Sequence, residues 1–254
     1  MKNFYFISDA HLGCRAMEHR RTRERRLVNF LDAIKHKAEA VYMLGDIFDF
    51  WFEYKEVVPR GYTRFLGKVS ELTDMGVEVH FFMGNHDLWC EDYLEKECGV
   101  TLHKGPSTIE LCGKEFYIAH GHKLDKKDDN WQTRFMFSCF ESHTLRKMAK
   151  WIHPRWFIRF GYNWAKRSRK EHGKEKPYAG EDKEGLVVYA KNYLKTHPTI
   201  NFFMFGHRHI ELDIFLNRTC RCMILGNWYD KCTYAVFDGE NMYMENYIEG
   251  ETEL

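Results

Sequence analysis

Five short apolar runs in this chain, at residues 4–8, 40–44, 77–83, 115–119 and 201–205, each stop at a polar tip. The tips are Asp9-Ala10-His11, Gly45-Asp46-Ile47-Phe48-Asp49, Gly84-Asn85-His86-Asp87, His120-Gly121-His122 and Gly206-His207-Arg208-His209. Apolar runs of this length bounded by glycine or polar residues read as buried strands. Between the first three, residues 20–37 carry Leu27, Phe30, Leu31 and Ile34, and residues 62–75 carry Phe65, Leu66, Val69 and Leu72, all at helical spacing. Strand–helix–strand alternation predicts a layered α/β sheet, with ligands bound beyond the carboxyl ends of its strands. The tips fall at those ends, so five chain segments are expected to gather on one sheet edge. A further run at 223–225 reads as a strand, and residues 213–248 as antiparallel strands with Asp238-Gly239 as a hairpin turn.

A chain of 254 residues, 44 % hydrophobic, can bury a substantial core in one domain. Its 38 Lys and Arg nearly cancel its 37 Asp and Glu, which excludes a uniformly basic nucleic-acid binder and an acidic disordered chain. No apolar run approaches the length of a transmembrane helix. The eight cysteines form no CxxC pair and read as reduced, mostly buried thiols. Because the first strand starts at once, with Asp9 directly behind it, no cleaved leader is expected and the chain is placed in the cytoplasm.

Residues 143–176 break the pattern. They hold 11 Lys or Arg against Glu171 and Glu175, a charge of +9 that leaves −8 for the rest of the chain. The same segment carries Trp151, Ile152, Trp156, Phe157, Ile158, Phe160, Tyr162 and Trp164. Two readings stand: a solvated helical hairpin on the core, or a basic, aromatic cap facing an anionic amphiphile or membrane surface.

Taken singly, the tips are weak signals: an Asp-x-His triplet, a helix N-cap or a turn. Taken together they supply oxygen and imidazole ligands without cysteine, which suits Mn²⁺, Fe or Zn²⁺ in a reactive centre and argues against a structural zinc. Seven ligands exceed what one open catalytic metal needs. They suit two divalent ions, expected to be Mn²⁺, about 3.5–4 Å apart and bridged by a carboxylate. Asp46 is the natural bridge, since a carboxylate offers two oxygens.

With those blocks in hand, the chain resembles the calcineurin-like metallophosphoesterases, whose pattern is D-x-H, G-D-x-x-D, G-N-H-D/E, H and G-H-x-H. Every block is present in order. The resemblance implies an α/β/β/α four-layer sandwich over residues 1–254, with a helical basic cap inserted at 128–180. It implies Asp9, His11 and His209 as ligands of one metal, Asn85, His120 and His207 of the other, and Asp46 as the bridge. His86 would be the catalytic histidine, contacting phosphate or protonating the leaving group, with Asp49 orienting it.

Within that family the chain resembles the UDP-2,3-diacylglucosamine diphosphatase branch of lipid A synthesis, through residues 45–51 (GDIFDFW), residues 120–131 (HGHKLDKKDDNW) and the basic insertion. That resemblance implies attack of water on the α-phosphorus of a nucleotide-linked acylated glucosamine, releasing UMP and 2,3-diacylglucosamine 1-phosphate. Asn85, His86, Asp128, Trp131, Ser168, Lys174 and His207 would contact substrate. An anionic membrane would be met peripherally, at the inner face of the inner membrane. The chain departs from branch members at His86 and Asp49, where they carry Arg and Glu. A nuclease or general phosphodiesterase would keep all five blocks and use the basic segment as a phosphate groove, although density in aromatics favours lipid over nucleic acid. A non-enzymatic scaffold would be expected to have lost ligands. His122 reads as a supporting residue, and Cys220 and Cys222 as packing residues.

Overall fold

The computed structural model describes residues 3–15, 20–125, 138, 140, 142–172 and 177–249, with the side chains of 143 and 167–172 left aside. Eleven strands among them form two sheets. The first sheet contains β1 (Asn3–Ile7), β2 (Ala38–Met43), β3 (Glu78–Phe82), β4 (Thr101–His103), β10 (Thr233–Phe237) and β11 (Met242–Asn246), in the order β11-β10-β1-β2-β3-β4. Strands β1 to β4 run parallel, while β10 and β11 add antiparallel. The second contains β5 (Ser107–Leu111), β6 (Lys114–Ala119), β7 (Ile200–Phe205), β8 (Leu212–Phe215) and β9 (Arg221–Ile224), in the order β5-β6-β7-β9-β8.

Alternating side chains explain why the sheets stack. Along β2 and its end, Ala40, Tyr42 and Leu44 join Phe116, Ile118, Met204 and Met223 in the core between the sheets. Val41 and Met43 point the other way, onto Leu27, Phe30, Leu31, Phe65, Val69 and Leu72. Those come from helices α1 (Arg20–Ile34) and α2 (Thr63–Asp74), which with α3 (Tyr93–Cys98) cover the first sheet. On the second sheet, Phe203, Phe205 and Cys222 pack against Leu186, Val187 and Ala190. Two-faced burial of this kind produces near-continuous apolar strands, and the layers are α/β/β/α.

The sheets divide the chain differently from expectation in two respects. Three of the strands leading to the polar tips (β1, β2, β3) lie in one sheet and two (β6, β7) in the other. The tips therefore meet across the carboxyl ends of both sheets. The 213–248 region does form antiparallel pairs, β8–β9 and, about the Asp238-Gly239 turn, β10–β11, but the pairs lie in different sheets and β9 runs parallel to β7. Strand β4 and the helix at Gly185–Leu194 lie outside the runs that the sequence pattern marked.

In the basic segment the described residues form α4 (His143–Ala149) and α5 (Pro154–His172); α6 spans Gly185–Leu194. Helix α5 docks through Phe157, whose ring lies 4.5 Å from Phe52 and 5.7 Å from Trp89. Gly161 lies so close to Phe50 that a Cβ there would collide with the ring. The outer surface leaves Trp151, Trp156 and Phe160 exposed at 92 %, 64 % and 54 %. The described helix α5 ends at His172, and residues 177–184 are not helical. No disulfide joins any two of the seven described cysteines, and Cys220 and Cys222 are buried in the second sheet's outer core.

Candidate metal centre

Each tip begins one or two residues beyond its strand, and five residues of the tips adopt positive φ: Asp9, His11, Asp46, His207 and His209. This left-handed backbone is unfavourable for residues with a Cβ, and its clustering marks a functional site. It turns the side chains inward at the strand ends. Two glycines make room for them. A Cβ at Gly84 would strike the Asp46 carboxylate, and one at Gly206 would strike Ser8 Oγ and Asp9 Oδ2.

The structure brings together all seven residues that the sequence pattern nominated. On one side, His209 Nε2 lies 3.1 Å from Asp9 Oδ1 and 3.2 Å from His11 Nε2. On the other, His120 Nε2 lies 3.2 Å from Asn85 Oδ1, and the His207 ring centroid is 5.1 Å from that of His120. Asp46 stands between: its Oδ2 is 3.8 Å from His11 Nε2 and 3.4 Å from His120 Nε2. Three sets, Asp9–His11–His209, His11–Asp46–His86 and Asp9–Asp46–His120, each offer ligand atoms within 4.8 Å of one another.

Contacts behind the ligands fix their orientation. His120 Nδ1 donates to Leu44 O at 2.7 Å, which leaves Nε2 facing the cluster. His209 Nδ1 hydrogen-bonds the Tyr229 hydroxyl at 3.1 Å. Asp9 Oδ2 accepts from Ser8 Oγ at 2.6 Å and from the His207 backbone N–H at 2.9 Å. Its other oxygen, Oδ1, is buried and faces the cluster, 3.1 Å from His209 Nε2 and 3.7 Å from His11 Nε2.

Electrostatics follow from this crowding. Burial alone would raise the Asp9 and Asp46 carboxyls, but the surrounding histidines outweigh it and hold both well below the usual carboxylate range. Burial opposes protonation of His120, yet Asp46 drives its pKa up to about 9. His207, buried and beside His120, is pushed down to about 3. Two ionised carboxylates, an amide oxygen and four imidazoles thus converge, with Asp9 Oδ1 turned towards the imidazoles of His11 and His209. That donor set fits divalent cations of the Mn²⁺, Fe or Zn²⁺ kind.

His86 and Asp49 are both buried here. His86 Nδ1 donates to Asp49 at 2.8 Å, but the acceptor is the backbone carbonyl. The Asp49 carboxylate instead faces His11 Nδ1 at 3.9 Å. The hydrogen bond between Asp49 and His86 runs through the Asp49 main chain. Trp164 of α5 lies 5.4 Å from the His86 ring, which brings the basic segment to the edge of the cluster. Asp128, Trp131 and Lys174 lie outside the described residues, and Ser168 falls on α5 with its side chain outside them.

Sequence reasoning missed Asp87. Its buried carboxylate accepts backbone N–H groups from Gly84 (2.7 Å), Ile47 (2.8 Å), Asp46 (3.2 Å) and Phe48 (3.3 Å), tying the second tip to the third. Burial, with Asp46 close by, raises its pKa to about 7. The acidic residue closing the Gly84-Asn85-His86-Asp87 block was the available signal. His122 packs behind His120 and His207, its ring tilted to the first and edge-on to the second, with centroids 5.4 and 6.2 Å away.

A four-layer α/β/β/α sandwich with a histidine–carboxylate cluster across its strand ends defines a class, that of metal-dependent phosphoesterases. The sequence pattern of the calcineurin-like phosphoesterases matches residues 2–211, and the chain belongs to that family. It is 43 % identical over 253 residues to a UDP-2,3-diacylglucosamine hydrolase of Porphyromonas gingivalis, covering 95 % of this chain and 96 % of the relative. A UDP-2,3-diacylglucosamine hydrolase of Neisseria gonorrhoeae is 30 % identical over 246 residues, covering 94 % and 96 %. Among solved structures, a dimetal phosphatase from Danio rerio aligns over 96 % of this chain and 95 % of its own with a TM-score of 0.50. At 12 % identity it speaks to the fold alone.

Proposed function

We propose that the protein hydrolyses the diphosphate of UDP-2,3-diacylglucosamine, yielding UMP and 2,3-diacylglucosamine 1-phosphate, in lipid A biosynthesis. The observation that carries this reading is the 43 % identity to a hydrolase of that name over nearly the whole chain. In this reading Asp9, His11 and His209 hold one divalent ion, Asn85, His120 and His207 the second, and Asp46 both, with Mn²⁺ as the metal. When bound, such a pair supplies Lewis-acid stabilisation of phosphoryl charge and activation of water.

The chain's own groups supply the rest. His86, with Nδ1 committed to the Asp49 carbonyl, presents Nε2 to a phosphate oxygen, where it donates a hydrogen bond or a proton to the leaving group. Its amide N–H donates to Asp46 Oδ1 at 2.8 Å, so the third tip and the bridging carboxylate are positioned as one unit. Trp164 shields the His86 ring from solvent on the α5 side. Residues 128–180 form a cap inserted in the single domain 1–254. There Asp128, Trp131, Ser168 and Lys174, together with Asn85, His86 and His207 at the tips, contact the substrate. Exposed Trp151, Trp156 and Phe160 give acyl chains and an anionic membrane an apolar surface beside basic side chains. No helix among the described residues is long and apolar enough to cross a membrane, and peripheral attachment at the inner face of the inner membrane accords with this surface.

The test is incubation of Mn²⁺-loaded protein with UDP-diacylglucosamine, single-stranded DNA and bis-p-nitrophenyl phosphate in parallel. UMP release from the lipid far faster than cleavage of the other two is the expected result. Equal or preferential cleavage of DNA or the small diester would put the nuclease or general phosphodiesterase reading ahead. Retained lipid binding with no hydrolysis of any of them would leave a scaffold.

A further inference from the structure

Next to the strand-tip cluster, beyond Leu12 and Gly13 that follow the first tip, a cleft of about 630 Å³ opens between the first layer of helices and α5. Seven arginines line it, against the single carboxylate of Glu24. Arg20 and Arg21 stand in the first turn of α1, Arg64 in the first turn of α2 behind Arg60, and Arg155 in the first turn of α5 with Arg159 one turn on. Arg15 completes the set and lies 4.1 Å over the Tyr162 ring. The first turns of three helices therefore face one opening, and neither α1 nor α2 nor α5 has an acidic residue in its first turn.

This arrangement is electrostatically unfavourable by itself. Cations at a helix N-terminus oppose the macrodipole, and seven like charges around one cleft repel one another. The lone carboxylate does not offset them: Glu24 Oε1 accepts the backbone N–H groups of Arg64 and Phe65 at 3.2 and 3.4 Å. Among the described residues no arginine of the seven forms an ion pair with a carboxylate. Further along the same two helices the contrast shows, since Lys35 and Lys68 pair with Asp32 and Glu71. Guanidinium groups without carboxylate partners, and helix N-termini, share one preferred ligand, the phosphate group.

We infer that this arginine cleft is a second anion site, taking a phosphate ester, and that it is separate from the hydrolytic centre. None of the residues lining it belongs to the strand-tip cluster. Its volume suits a ligand of headgroup or nucleotide size. The inference does not depend on which ester is hydrolysed. The phosphate belongs either to a soluble molecule or to an anionic lipid at the membrane surface, and two probes separate these sources.

The experiment compares the metal-loaded wild type with Arg60→Ala/Arg64→Ala and Arg155→Ala/Arg159→Ala. Each is titrated calorimetrically with inorganic phosphate, and each is sedimented with phosphatidylcholine vesicles with and without phosphatidylglycerol. The strand-tip site is intact in all three proteins, so only differences between them count. A soluble ligand predicts loss of one class of phosphate sites in both pairs. A lipid ligand predicts vesicle binding that requires phosphatidylglycerol and weakens roughly tenfold or more in each pair. Cleavage of bis-p-nitrophenyl phosphate should be unchanged in the Arg60/Arg64 pair. Footprinting with phenylglyoxal on the unaltered protein guards against misfolded variants: phosphate or anionic vesicles should slow modification of Arg60 and Arg159. Absence of protection by either probe, with unaltered binding in folded variants, would overturn the inference.

Discussion

Asp49 lies in the G-D-x-x-D block, and substituting it separates two ways of supporting a histidine. If its carboxylate held His86, Asp49→Asn and Asp49→Ala would impair the acid step. In the structure the His86 Nδ1 bond at 2.8 Å goes to the Asp49 backbone carbonyl, which both substitutions retain. The carboxylate sits 3.9 Å from His11 Nδ1, too far for a good hydrogen bond but close enough to act on the ring through charge. Loss of a partner behind a metal ligand costs about 10–100-fold in metal affinity or activity, and the long distance places Asp49→Asn near tenfold. His86→Ala, by contrast, should lower kcat by roughly 10²–10⁴-fold at unchanged metal content. The assay is a double-mutant cycle on kcat/KM at saturating Mn²⁺, with metal content read by mass spectrometry. Asp49→Asn and His86→Ala should add to within about 0.5 kcal/mol. A coupling well above 1 kcal/mol (about fivefold) between them, with full metal occupancy in Asp49→Asn, would refute the assignment.

Gly206→Ala should cost metal content and roughly 10²-fold or more in activity, because the added Cβ displaces the Asp9 carboxylate; a fully loaded, active variant would contradict the placement. Trp156→Ala/Phe160→Ala should reduce binding to anionic vesicles without changing the thermal midpoint, since both rings are exposed, whereas Phe157→Ala should speed hydrogen exchange across α5 because it removes the contact with Phe52. His103, pushed down to about 4 by burial and by His80, stays neutral in the folded state where the unfolded residue would protonate. Its contribution is therefore complete above about pH 6.5 and is lost as pH falls towards 4, roughly 1–2 kcal/mol after discounting for the ring's partial exposure. Urea denaturation of His103→Gln should show a shallower decline over that window than the wild type.

The local sequence determined the strands, the first two helices and the residues at the strand tips. Their signals are contained within a few residues: an apolar run, a helical spacing, a glycine before a histidine or carboxylate. It also determined which side chains could serve one centre, because a ligand's chemistry belongs to the residue itself. Sheet membership was beyond it. A strand buried on both faces is apolar throughout, so Tyr42 facing one core and Val41 facing the other look alike in sequence. Only the pairing of β6 with β7, and of β9 beside β7 rather than in a local meander, puts two tips on the second sheet and the cluster across both. The backbone bond from Asp49 to His86, the four amides gathered by Asp87, and the three helix ends that bring seven arginines to one cleft share that dependence. Apart from the Gly84 amide, each joins segments far apart in the chain, and contacts of that range are decided by how the layers stack, which no window of neighbouring residues contains.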